Sequence, residues 1–358
     1  MGKISAGHKL ILFAMKRVYC ERLPGVPVIP LLLPNLPEDL PTRQLFQKEA
    51  FRDLKEPLVE IVADPAQADV HLLPHNYPLV RGRTEYLRRC GETAVRHGKR
   101  IVVFWHGDGT GPVALPNAVV FRTSQYASRL RKNEHILPAY AEDLKGKGLF
   151  VRDKTAEPPV IGFCGWAQYK DTKNAIGSIL QALPYDIAAS LTFRPRMRSR
   201  IKGLTLRRRA IAGMQKSRRI RPNFILRSSH SAHAATIRLD PAQARREYVD
   251  NMSASDFILC IRGDGNYSLR FYEALSLGRV PILLDTDVRL PLDTTIDYRS
   301  FILPIAMHDL HRIGDRVADF WACCTEEQWL FMQVQARHAF EQYLSTPRYL
   351  AYAVDHLF

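Results

Sequence analysis

The sequence predicts an α/β protein of two open, mostly parallel domains. Three observations carry that expectation. Short apolar runs of strand length alternate with amphipathic stretches. A charged, turn-rich segment splits the alternation into two sets. The chain's 358 residues amount to about two domains at roughly 150 residues each.

In the first set, strand-length runs fall at Lys9–Ala14, Leu58–Val62, Val70–Leu73, Ile101–Trp105 and Ala118–Arg122, with helical patterns at Thr42–Leu54 and Thr84–His97. Lys-Gly-Lys-Gly and Pro-Pro mark Asp143–Pro159 as the linker. The second set has strand-length runs at Val160–Cys164, Asp186–Phe193, Asn223–Leu226, Phe257–Ile261, Val280–Leu284 and Phe301–Pro304. A long helix over Glu326–Leu344, with no strand after it, closes the pattern. The expected division is therefore residues 1–150, residues 151–325, and a helical segment 326–358 that packs back across both. Two such domains place a ligand between the carboxyl ends of their strands.

Hydrophobic residues at 46% and charged residues at 24% are ordinary for a soluble globular protein. The net charge of +15 is not, and it predicts an anionic partner. No apolar run approaches the ~20 residues of a membrane span. Leu10–Met15 is too short for a signal-peptide core and reads as part of a first strand. The six cysteines include no CxxC pair and sit mostly in apolar runs, as reduced, buried thiols of a cytoplasmic protein do.

The most informative stretch is CIRGDGNYSLRFYEALSLGRVPILLDTD, Cys260 to Asp287. A buried strand breaks into a turn where Gly263 and Gly265 let backbone amides approach a ligand. Asn266 or Ser268 can cap the helix that follows, and Gly278 ends it. Strand, glycine turn and helix start make a phosphate site, because free amides and the helix dipole favour an anion there. Arg262 on the turn and Arg270 in the first helical turn can reach the same anion. Glu273, three residues after Arg270, faces the same way and suits the hydroxyls of a ribose. Together they describe a nucleoside diphosphate. The same residues also fit a plain Arg270–Glu273 pair on a capped helix, and the spacing matches neither the P-loop nor the dinucleotide fingerprint.

The stretch Ser253–Asp287 resembles the signature of exostosin-type glycosyltransferases. Upstream, ADVHLLPHNYPL, FRTSQY and VIGFCGWA are similar in type to stretches of that family, and IDYRSFILPI fits downstream. The resemblance implies the GT-B architecture: two facing Rossmann-like domains with the active site in the cleft between them. It also implies inverting, metal-independent transfer of a sugar from a nucleotide-diphosphate donor, a UDP-sugar being the expected one. By the resemblance Arg262, Ser268, Arg270 and Glu273 bind the donor, with Gly263, Gly265 and Asn266 shaping the turn. No cofactor is expected.

Asp285-Thr-Asp287 could suggest a metal held against a diphosphate, as in transferases of the other common fold. The arginines and helix start already supply the charge a leaving diphosphate needs, so we read this segment as a strand-end turn and assign no metal. His230 and His233 lack a nearby acid or cysteine partner and make a poor metal site.

Inverting transfer needs a general base from across the cleft. FWHGDGTG, Phe104–Gly111, follows a buried strand and offers Asp108 and His106 on a glycine-rich loop. His75, at another strand end, is a lesser candidate, and Arg122 and Ser124 could line the cleft.

From Arg194 to Arg221 there are twelve Lys or Arg residues and no acid. A solvated face is normally of mixed sign, so this one asks for an anionic partner. There is no nucleic-acid motif and no interleaved aromatic residue for base stacking. An anionic membrane surface near a lipid-linked acceptor fits better. The expectation is thus a cytoplasmic transferase, peripheral at the inner face of a bacterial membrane. It would pass a sugar to a glycan or lipid-linked acceptor in capsule, lipopolysaccharide or exopolysaccharide synthesis. The competing readings are a basic nucleic-acid-binding protein and a non-catalytic nucleotide-sugar or glycan-binding module.

Overall fold

The computed structural model describes residues 15–36, 47–147, 151–229 and 236–358. It contains two parallel sheets. The first is built from β1 (Lys16–Tyr19), β2 (Val59–Ile61), β3 (Val70–Leu72), β4 (Ile101–Trp105), β5 (Ala118–Arg122) and β6 (Glu134–Ile136), in the order β2-β1-β3-β4-β5-β6. The second comprises β7 (Val160–Trp166), β8 (Arg221–Arg227), β9 (Phe257–Cys260), β10 (Val280–Leu284) and β11 (Leu303–Ile305), in the order β11-β10-β9-β7-β8. The described helices are α1 (Tyr77–Val80), α2 (Thr84–Arg96), α3 (Thr172–Leu191), α4 (Gly203–Gln215), α5 (Pro241–Ser253), α6 (Leu269–Ser276), α7 (Ile313–Cys323), α8 (Glu326–Ala339) and α9 (Thr346–His356).

Strands β4, β5 and β10 are buried along their whole length. Each sheet has an apolar cluster on both faces, which is why these strands read as continuous apolar runs rather than alternating ones. In each sheet the chain winds outward both ways from a central pair, β1/β3 in the first and β7/β9 in the second. Ligand crevices form at such reversals, beyond the carboxyl ends of the strands.

Two expectations change, and a third falls outside the described residues. The strand expected at Lys9–Ala14 lies outside the described residues, and the first described strand is Lys16–Tyr19. Of Thr42–Leu54, residues 42–46 are outside them; the rest forms a short 3-10 turn, Gln47–Phe51, not an α-helix. Ala50 and Leu54 are both drawn into the first core, and the chain turns between them toward β2. The apolar run Asp186–Phe193 is not a strand. Its residues 186–191 are the end of the 20-residue helix α3, whose N-terminus Asp171 caps by accepting from the Asn174 amide. Small Ala182 and Ala189 seat the helix, and Phe193, at φ +52°, turns the chain away beyond it.

The chain crosses between the sheets twice. Ala139, Ala141 and Leu144, on the way from β6 to β7, pack with α6 in the second domain. Ala336, Ala339, Phe340 and Leu344, at the end of α8, join the same cluster. Beyond them Tyr349, Leu350, Ala353 and Val354 of α9 return to the core of the first domain, where the Tyr349 hydroxyl donates to the Ile136 carbonyl at 2.8 Å. Arg337 ties one crossing to the other through two bonds to Asp143, at 2.6 and 2.9 Å.

Candidate functional site

A cavity of about 490 Å³ lies between the domains at the β7/β9 reversal. Its second-domain wall starts at the end of β7. There the Cys164 carbonyl accepts from Arg270 at 2.8 Å, and the guanidinium lies 4.3 Å from the centre of the Phe163 ring. Gly165 sits at φ +156°, and a Cβ there would fall 2.6 Å from Arg270 Nη2, so glycine is what allows that approach. Arg207, from α4, enters the same cavity and donates to the Trp166 carbonyl at 3.2 Å. Burial, and next the neighbouring Arg270 charge, push the Arg207 guanidinium down to about 9.

Neither guanidinium has a carboxylate partner among the described residues, and the Nε of each is buried without an acceptor. Arginine resists deprotonation. Two such groups held together therefore call for an anion rather than for loss of a proton. Ser268, the residue before α6, lines the cavity and makes no capping bond with its side chain. It places the start of α6 at the same cavity as the two arginines.

Deeper in the cavity, Glu273 accepts from Arg245 at 2.8 Å and from the Tyr248 hydroxyl at 2.6 Å. Arg245 also donates to Glu142, at 2.6 Å, from the crossing segment. The Glu273 charge is thus balanced within the wall, with both carboxylate oxygens already engaged. Arg245 and Tyr248, three residues apart on one face of α5, were not expected from sequence. The only signal for Arg207 was its place in the basic run.

Of the residues expected at the donor site, Arg262, Gly265 and Asn266 do not line the cavity. Arg262 is buried and turned inward, donating to the carbonyls of Gly263, Asp264, Ser199 and Ile201. It clamps the turn to the segment before α4, and Arg207 takes the cavity position that sequence reasoning had assigned to it. Asn266 is buried as a strut. Its amide nitrogen donates to Gln125 and Asp287 carbonyls, its side-chain oxygen accepts from Thr286, and its backbone N–H donates to Ser124 Oγ at 2.9 Å. Gly263 lines the cavity, and Gly265 N donates across the cleft to Asp108 Oδ1 at 3.0 Å. Gly203, at the start of α4, packs so tightly on the Arg262 and Gly263 carbonyls that no Cβ fits.

The first-domain wall carries Asp108 and His106. Burial raises the Asp108 carboxyl above its ordinary range, helped by the charge of Asp264 and opposed by the bonds from Gly265 and Tyr267. His106 stacks flat on Tyr140, ring centres 4.3 Å apart, and burial holds it down at about 4. It is therefore neutral near pH 7.

His75 is used structurally: the Leu23 amide donates to its Nε2 at 2.8 Å, and its Nδ1 meets the Pro27 carbonyl at 3.0 Å. Arg122, fully buried, pairs with Glu134 at 3.1 Å and holds the Thr110 and Gly111 carbonyls, so it shapes the loop that bears Asp108. In the Asp285–Asp287 turn, Asp285 accepts from the Asp287 amide, and Asp287 binds the hydroxyl and amide of Ser128 in the first domain. His230 and His233 lie outside the described residues.

Two parallel-sheet α/β domains with a cleft between them are the layout expected from sequence. Within it, residues 190–320 match the Exostosin GT47 domain, so the resemblance read from Ser253–Asp287 to exostosin-type glycosyltransferases is borne out. A curated relative, the Arabidopsis thaliana protein described as probable glucuronoxylan glucuronosyltransferase IRX7, is 32% identical over 68 residues, which are 19% of this chain and 15% of that protein. Among solved structures, a glycosyltransferase from Rickettsia africae ESF-5 aligns over 96% of this chain and 98% of its own, with 10% identity and a TM-score of 0.40. TarM aligns over 80% of this chain and 54% of its own, also with 10% identity and a TM-score of 0.40. These structural likenesses are loose, and the architecture stands on the sheet order itself.

Proposed function

We propose that the protein transfers a sugar, with inversion and without a metal, from a nucleoside-diphosphate sugar to a glycan or lipid-linked acceptor. One observation carries this reading: Arg207 and Arg270 share a cavity at the β7/β9 reversal, and neither forms an ion pair with a carboxylate among the described residues. A diphosphate supplies the missing charge, with Ser268 and the start of α6 as further donors. Glu273, fixed by Arg245 and Tyr248, is offered to the ribose through its remaining lone pairs.

The acceptor hydroxyl enters from the first-domain side. Asp108 takes its proton, the acceptor oxygen bonds to the anomeric carbon, and the carbon–oxygen bond to the diphosphate breaks. The nucleoside diphosphate leaves with that electron pair, against the two arginines. Neutral His106, stacked on Tyr140, fills the wall beside the base as a hydrogen-bonding group. The setting we favour is surface polysaccharide synthesis at the inner face of a bacterial membrane, with the basic segment Arg194–Arg221 toward acidic lipid.

Calorimetry with UDP, GDP, CMP and a generic oligonucleotide, each with and without EDTA, on wild type and Arg270→Ala, tests the reading. One nucleotide should bind without metal and be lost in the variant. Binding that vanishes with EDTA returns Asp285 and Asp287 to consideration as metal ligands. Binding of the oligonucleotide alone overturns the proposal.

A further inference from the structure

Helix α3 is built the wrong way round for a helix on a globular core. Its large apolar side chains, Ile176, Ile179, Leu180, Leu183, Ile187 and Leu191, are exposed by 49% to 76%. They recur every three or four residues and therefore form one stripe along the helix. The face turned to the protein is made of small Ala182 and Ala189, with Tyr185 partly buried against the core. Phe193, just past the helix, is 90% exposed. A continuous apolar stripe of this length on a water-facing surface marks a binding face.

The charge beside the stripe says what covers it. Between residues 170 and 221 there are fourteen Lys or Arg residues and two acids, Asp171 and Asp186. Asp171 is spent on the helix cap, and Asp186 is held by Arg198 and Arg209 at 3.0 and 2.7 Å. Arg194, Arg196, Arg200 and Lys202 follow the helix directly, are exposed, and form no ion pair among the described residues. A second copy of this chain docking stripe to stripe about a two-fold axis would bring two such basic flanks together. An anionic bilayer supplies both missing partners, acyl chains for the stripe and phosphates for the cations.

We propose that α3 lies in the interface of an anionic membrane, its stripe inserted and the Arg194–Lys202 segment on the headgroups. The proposal rests on the acidic-lipid reading of Arg194–Arg221 and deepens it, by naming the element that inserts. No described helix is long and apolar enough to cross a membrane, so the contact is one of lying on, not spanning. The basic segment runs straight into α4, which carries Arg207 to the cavity, so the inserted face adjoins the cleft.

The test is co-flotation of the full chain with vesicles of phosphatidylglycerol and phosphatidylcholine, or of phosphatidylcholine alone. The proteins are wild type, Ile179→Asp/Leu183→Asp and Arg194→Glu/Arg196→Glu, with thermal melting and nucleotide calorimetry as controls for fold and site. We expect wild type to bind the anionic vesicles only. Each double variant should bind at least about tenfold more weakly, with its melting and nucleotide affinity unchanged. Anionic binding that ignores Ile179→Asp/Leu183→Asp overturns insertion and leaves a purely electrostatic contact. Absence of vesicle binding overturns both, and so does a dimer broken by the same variant, which assigns the stripe to a second copy. Vesicle binding by a protein that binds no nucleotide would sink the transferase reading and leave α3 standing.

Discussion

The carboxylate of Asp108 in the first domain accepts the backbone N–H of Gly265 in the second, at 3.0 Å. The proposed base is thereby positioned by the very turn proposed to hold the donor. Asparagine keeps an oxygen to accept that bond but cannot take a proton. Asp108→Asn should leave nucleotide affinity within about twofold while lowering sugar transfer at least about a hundredfold. Steady-state transfer assays beside calorimetry check this. Retained transfer would move the base elsewhere.

As the proposed base, Asp108, with its raised carboxyl, should set the acid limb of the rate profile. A base acts only when deprotonated, so kcat/KM should fall as pH drops through its pKa, at a value above the ordinary ~3.9 of an aspartate. Burial is the larger cause of the rise and the Asp264 charge the next. Asp264→Asn should therefore shift the limb to lower pH. A limb that stays in place would show that Asp108 is not the titrating group.

Removing either cavity arginine should cost nucleoside-diphosphate affinity about 1.5–3 kcal/mol, the scale of a charge-assisted contact. The ligand-free protein should behave differently. Arg207→Met keeps the aliphatic stem and removes a buried charge that repels Arg270, so its melting temperature should equal or exceed that of wild type. Calorimetry and melting on the same samples separate the two effects. A large loss of stability would make Arg207 a structural residue instead.

Glu273 carries a different risk. Because it balances Arg245 and accepts from Tyr248, Glu273→Ala strips a nearly buried guanidinium of one of its two carboxylates. We expect about 3 kcal/mol of destabilisation in urea unfolding, the low end for breaking a buried pair, since Glu142 remains. Glu273→Gln, which still accepts from Tyr248, should lose less. If Glu273→Ala weakens nucleotide binding with no change in stability, its main task lies with the ligand and not with the wall.

The central strands were legible because strands buried on both faces leave uninterrupted apolar runs, as at Ile101–Trp105 and Val280–Leu284. Sequence reasoning failed on α3 for a related reason. A compact apolar run was read as a strand at Asp186–Phe193, whereas Ile187 and Leu191 lie exposed on a helix. At the candidate site, Gly263, Ser268, Arg270 and Glu273 could be grouped from sequence because they sit within a dozen residues of one another, and all four line the cavity. Arg262 misled because spacing does not reveal which way a side chain turns, and this one turns to four carbonyls. Arg207, Arg245 and Tyr248 reach the cavity from α4 and α5, and only the tertiary fold brings them beside residue 270.

The two crossings between the sheets bear on how the cleft can open. A body hung from two adjacent straps can swing about the line joining them, but it resists twisting and sliding. Arg337 and Asp143 fasten the straps to each other, which fixes that line in the molecule. Opening then reduces to a single angle, the one that parts Asp108 from Gly265 and Ser124 from Asn266. Such a door returns to the same frame each time it shuts, so the proposed base would meet the proposed donor in one register at every closure.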